Sequence, residues 1–147
     1  MIGLVLREFW RRTRGASAVE FALVVIPLLL LLMGTIEFGR LLWTRQAMQS
    51  LAISAARCMG VRQTTCSNAG IYDSGNTTAY ILQGASALGV ELSTANIVLN
   101  ANASCQGVPG FSTITIAYTY KTIVPLLIPS LSDGMLLSTT ACFPNQS

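Results

Sequence analysis

Apolar residues crowd one end of this chain and thin into alternation at the other. From Ala16 to Ile36, 21 consecutive residues carry one charge, that of Glu20. At ~1.5 Å of rise per residue a helix over this run covers the ~30 Å hydrocarbon layer of a bilayer, so the run predicts a membrane-spanning helix. Pro27 lies in its middle, lacks an amide hydrogen, and predicts a kink or a loosened turn there. Beyond Ile36 the pattern becomes one-sided. Leu41, Leu42, Met48, Leu51, Ala52, Ala55 and Ala56 fall on one broad stripe at three-and-four spacing, while Arg40, Gln46, Gln49 and Arg57 lie mostly elsewhere. The helix is therefore expected to run from Ala16 to Arg57, ~60 Å at the standard rise. Trp43, beside Arg40 and Arg45, suits the headgroup level of a membrane, and Glu37 can pair with Arg40 or in the neighbourhood of Arg45.

The remainder reads as mixed and β-rich. Residues 60–76, with Gly, Thr, Ser, Asn and Asp, predict a loop. Thr78 to Leu88 carries weak helical spacing in Tyr80, Ile81, Ala85 and Leu88, interrupted by Gly84. Ala95–Ala103 and Ser112–Thr122 predict strands, and the second sets Ile114, Ile116, Tyr118 and Tyr120 on one face against Thr113, Thr115, Ala117 and Thr119 on the other. The segment VPLLIPSL, with Pro125 and Pro129, predicts an apolar loop or short helical turn. Met135–Phe143 supplies a last strand that can return antiparallel beside 112–122. The expected class is α+β: a long amino-terminal transmembrane helix continuing into a small domain whose antiparallel sheet packs on that helix. The expected divisions are 1–15 (a basic tail), 16–57 (the helix) and 58–147 (the α+β domain).

Charge and cysteines orient this arrangement. The net charge of +3 resides in the first 15 residues, where Arg7, Arg11, Arg12 and Arg14 face Glu8, and the rest balances at five of each sign. Nothing in that distribution suggests a nucleic-acid surface. The arginine tail favours a cytoplasmic amino terminus by the positive-inside rule. All four cysteines, Cys58, Cys66, Cys105 and Cys142, follow the apolar run, as expected for a small domain exported to an oxidising compartment. Four cysteines allow three pairings; Cys58 with Cys66 and Cys105 with Cys142 are favoured, against buried free thiols. A cleaved secretory signal fits less well, because the apolar run exceeds the usual ~7 to 15 residues and no small-x-small site follows it.

Candidate chemistry is sparse. The chain has no histidine, which removes Ser-His and Cys-His machinery and histidine-bound metals, and no C-x-x-C spacing for a metal. Asp73, Glu91 and Asp133 are isolated, no phosphate-cradling glycine loop with a lysine is present, and no cofactor is expected. Glu20 is the informative acid. A charge inside a spanning helix costs roughly 2.5 to 3.5 kcal/mol near the bilayer centre and less toward its edge, so a partner is expected. A structural alternative exists: Ser17 to Glu20 spells S-x-x-E, a capping box worth about 1 kcal/mol. Ala16, Ser17, Ala18 and Ala22 form a small-residue patch for helix contact, whereas Gly34 and Gly39, five apart, miss the G-x-x-x-G spacing. The sequons at Asn76 and Asn102 receive no role.

The segment RGASAVEFALVVIPLLLLLMGTIEFGRLLWTRQAMQSLAISAAR closely resembles the amino-terminal signature of TadE-like minor pilins (pseudopilins) of the tight-adherence, or Flp-type, pilus. The Gly-Ala junction, the V-E-F triplet, the proline inside the leucine-rich run and E-F-G-R fall in order. The resemblance implies that a prepilin peptidase of the bacterial inner membrane cuts between Gly15 and Ala16. Arg11, Arg12 and Arg14 would then belong to the leader, and Glu20 would become the fifth residue of the mature chain. A residue without a Cβ lets backbone enter a narrow cleft, which suits Gly15 at a scissile position. The implied partners are the major pilin, other minor pilins, the assembly platform and its ATPase; the implied place is the inner membrane with the domain periplasmic, or a surface pilus serving adherence and biofilm formation. The alternative function is a single-pass tethered binding domain never assembled into a fibre.

Overall fold

The computed structural model of the chain describes residues 16–123 and 133–146. The chain divides after Gly39 into two units. Within the first, the described residues form helix alone: α1 spans Ala16–Gly60, of which the part to Gly39 belongs to this unit. Helical backbone continues through Pro27 without a break. The proline therefore withholds one bond, that to the carbonyl four residues back, and the element goes on around it.

The second unit, Arg40–Ser147, holds the rest of α1 and everything after it. Two short strands, β1 (Ser67–Asn68) and β2 (Ile71–Tyr72), pair antiparallel and lead into α2, Ser74–Ala87. A 3-10 turn at Thr94–Asn96 precedes a three-stranded antiparallel sheet in the order β3 (Ile97–Cys105), β4 (Val108–Tyr120), β5 (Met135–Pro144). β5 runs the length of β4, from Met135 opposite Tyr120 to Pro144 opposite Phe111. The segment VPLLIPSL lies outside the described residues.

The alternation in β4 is what builds the core. Ile114, Ile116 and Tyr120 are buried, and with Leu137 and Ala141 of β5 they pack on Met48, Leu51, Ala52, Ala55, Ala56 and Met59 of α1. Ile81 and Ala85 of α2 and Val90 complete the cluster. The three alanines are fully buried, and their short side chains let sheet and helix approach closely. Leu42, expected on this stripe, is 47 % exposed instead. At 100° per residue it sits roughly 120° around the helix from Met48, too far to share its face.

Local chemistry explains the boundaries that pattern alone misplaced. The expected loop 60–76 holds β1, β2 and the first turn of α2. Asp73 is the N-cap, its Oδ1 accepting from the Asn76 amide at 2.7 Å, so the helix begins at Ser74 and not near Thr78. Gly84 costs helix propensity but admits Leu51: a Cβ there would lie 2.6 Å from Leu51 Cδ1. β3 starts two residues later than expected because Ser93 and Asn96 close a capping box on the 3-10 turn. β4 begins earlier because Gln106 and Gly107 both take positive φ, the geometry that turns β3 tightly into it.

The end of α1 is pinned against β5. A Cβ on Gly60 would fall 2.6 Å from Phe143 Cδ1 and 3.0 Å from the Pro144 carbonyl oxygen, and the Gln146 amide donates to the Gly60 carbonyl at 2.9 Å. Gly60→Ala is expected to destabilise this unit by ~1 to 3 kcal/mol through overpacking. Thermal melting of the detergent-solubilised chain checks it; an unchanged melting temperature would mean that the ring gives way freely.

Candidate functional site

The candidate site is the amino-terminal part of α1. Every large apolar side chain described as exposed from Val19 to Ile36 shows between 47 % and 70 % of its surface, and none of the most apolar 18-residue window is buried. Soluble proteins rarely leave so continuous an apolar surface open to water. By length and composition this helix can cross a membrane. A hydroxyl inside the run fits that setting: Thr35 Oγ1 donates to the Leu32 carbonyl at 2.9 Å and so needs no water.

Glu20 is exposed on this surface, one helical turn from Ala16, the first described residue. Gly15, Arg11, Arg12 and Arg14 lie outside the described residues. Ser17 has helical backbone, whereas an N-cap takes extended backbone.

Two features at the far end of the apolar run bear on the pair that spacing suggested. Glu37 is buried, at 3 % exposure. The Arg40 guanidinium lies over the Tyr120 ring, 6.0 Å from its centroid, within the range of a cation–π contact. The i, i+3 spacing of E-F-G-R marked both residues; it carried no information about burial, which depends on the fold around them.

Both disulfides belong to the second unit. Cys58, in the last turn of α1, is bonded to Cys66, and Cys105 at the end of β3 to Cys142 on β5; no described cysteine is free. Around the first, Ser67 Oγ donates to the Arg62 and Gln63 carbonyls, and Thr77 Oγ1 to those of Asp73 and Cys66. Asn76 Nδ2 donates to the Ser67 carbonyl at 3.1 Å, which ties one sequon into this turn. The sheet face turned from the core is uncharged. Val98, Asn100, Asn102, Ser138 and Thr140 are exposed there, and Thr115 and Thr140 share a hydroxyl bond of 3.0 Å across the strands. Among the described residues no three His, Cys, Asp or Glu gather to hold a metal.

The Tyr72 phenol is displaced upward, first by burial and then by the adjacent Asp73 carboxylate. A phenol raised above 10.0 in the folded state binds its proton more tightly there than in the unfolded chain. Stability is thus full below pH ~10 and declines as pH rises through the folded value. Tyr72→Phe should flatten that alkaline decline in thermal melts; an identical slope would show that the phenol is not its source.

Residues 15–57 match the family model described as TadE-like protein. Neither a curated protein nor a solved structure matches the chain. The amino-terminal segment is TadE-like, consistent with a protein associated with the Tad pilus system.

Proposed function

From a TadE-like segment that coincides with an unburied apolar helix, we propose that this chain is a minor pilin, or pseudopilin, of a Tad/Flp pilus, taking part in pilus assembly and so in adherence and biofilm formation. Residues 1–15 serve as a cytoplasmic leader in which Arg11, Arg12 and Arg14 hold the amino terminus inside. A prepilin peptidase cuts between Gly15 and Ala16. Residues 16–57 then anchor the mature chain in the inner membrane and later pack among other pilin helices, while 58–147 forms the periplasmic domain.

The observation that carries the assembly step is Glu20 exposed on an otherwise uncharged stretch of helix, one turn from the residue that cleavage makes a free amine. An ammonium on Ala16 of one subunit and the Glu20 carboxylate of its neighbour attract strongly where water is scarce, and a shift of register leaves both charges unpaired. The bond thereby favours one lateral alignment. Extraction from the membrane draws on a partner ATPase of the assembly platform.

Glu20→Gln tests the charge. The variant is expected to reach the membrane and to lose incorporation into sheared pili by ~10-fold or more, the scale of a lost charged hydrogen bond. Normal incorporation would remove Glu20 from assembly. Intact-mass analysis of the cellular protein tests the rest. A mature chain beginning at Ala16 is expected, and a chain that still contains residues 1–15 would leave the tethered binding domain as the reading.

A further inference from the structure

We infer that a cleft between Trp43 and Leu88 is a membrane-docking site, which seats the Arg40–Ser147 unit in the headgroup layer of the bilayer. The cleft encloses about 240 Å³ and lies wholly within that unit. Trp43, Gln46, Ala47 and Ser50 of α1 line it with Leu88, just after α2, and none of the five is charged. Trp43 is 64 % exposed and Leu88 38 %. An indole and a leucine held open to solvent beside amide and hydroxyl groups match a layer that is apolar on one side and wet on the other.

The occupant follows from where the charges fall along α1. Glu20 and Arg40 bracket 19 residues, Phe21 to Gly39, which rise ~28 Å, close to the ~30 Å hydrocarbon thickness. Glu37 is the one charged residue between them, and it is buried, at 3 % exposure. With Glu20 and Arg40 at the two edges of the hydrocarbon, Trp43 follows ~4.5 Å beyond Arg40, inside the interfacial layer of roughly 5 to 7 Å on each side. Leu88, in the same cleft as Trp43, enters that layer with it. Glu20 then stands at the cytoplasmic edge, where a carboxylate costs less than at the bilayer centre. The proposal rests on the membrane-anchor part of the proposed function and is independent of cleavage and pilus assembly.

The chain has two tryptophans, Trp10 and Trp43, so Trp10→Phe leaves Trp43 as the single reporter. The full chain is reconstituted in phosphatidylcholine vesicles whose acyl chains carry bromine near the ester end or near the methyl end. Trp43 emission should be quenched more by the shallow bromines than by the deep ones. In a Trp10→Phe, Trp43→Phe background, Leu88→Trp should show the same order, because the α2 side of the cleft faces the same layer. A chain that floats with the vesicles but leaves Trp43 unquenched overturns the docking and spares the anchor; such a cleft would be open to water or covered by another protein's helix. Deep quenching of Trp43 overturns the register. An unquenched Leu88→Trp reduces the contact to the helix alone and overturns the cleft as a site. A chain that does not float removes the anchor itself.

Discussion

Replacing Cys105 and Cys142 together by serine is expected to cost the domain ~4 kcal/mol, a large share of the ~5 to 15 kcal/mol that a single domain holds. The bond joins residues 37 apart in sequence, and the entropy returned to the unfolded chain grows with the length of loop released. Cys58 and Cys66 are 8 apart, for which the same relation gives ~2.5 kcal/mol. The longer bond also ties together strands that do not pair with each other, β3 and β5, on either side of β4. Denaturant unfolding of the detergent-solubilised double variants, oxidised and wild type in parallel, checks the ranking. If loss of the short bond costs more than loss of the long one, loop entropy is not what these disulfides contribute.

Ile116→Ala is expected to destabilise the same unit by ~2 to 5 kcal/mol, whereas Thr115→Ala beside it should cost under ~1 kcal/mol. The two residues are neighbours on β4 and differ in the face they occupy. Ile116 is fully buried in the cluster shared with α1, so truncation removes apolar contact and leaves a cavity. Thr115 turns outward and loses one exposed hydroxyl bond to Thr140. Equal effects at the two sites would mean that the sheet does not present its isoleucine face to the helix. Limited proteolysis gives a second readout, since a loosened sheet exposes its strands to cleavage.

Much of this architecture was legible in the order of residues, and the physical reason differs by element. α1 announced itself by length, because 21 residues with one charge leave little else for a chain to do. β4 announced itself by strict alternation of isoleucine and threonine, and the helix it covers by a stripe of small and apolar residues. The hairpin of β1 and β2 did not show, since strands of two residues carry no period. The start of α2 was readable in principle: Asp73 with an amide three residues on is a capping signal, obscured by a run of Gly, Asn and Thr that looks like loop. The exposure of Leu42 and the burial of Glu37 were not readable, because which side of a helix is covered depends on partners distant in sequence. The same limit applies to function. The pilin-like signature ends near Arg57, and the domain beyond it offers surfaces without a motif.

β5 is the strand of this sheet made last, and it forms a wall of the core. Leu137 and Ala141 close the cluster, Cys142 ties back to β3, and Phe143 and Gln146 grip the tip of α1 at Gly60. Ribosomes release that strand only after α1, α2, β3 and β4, so the nascent sheet lacks one wall of its core until β5 follows. Inserted epitopes close to Gln146 therefore burden a strand that closes the core, and are better accommodated in an exposed turn such as Ala69–Gly70.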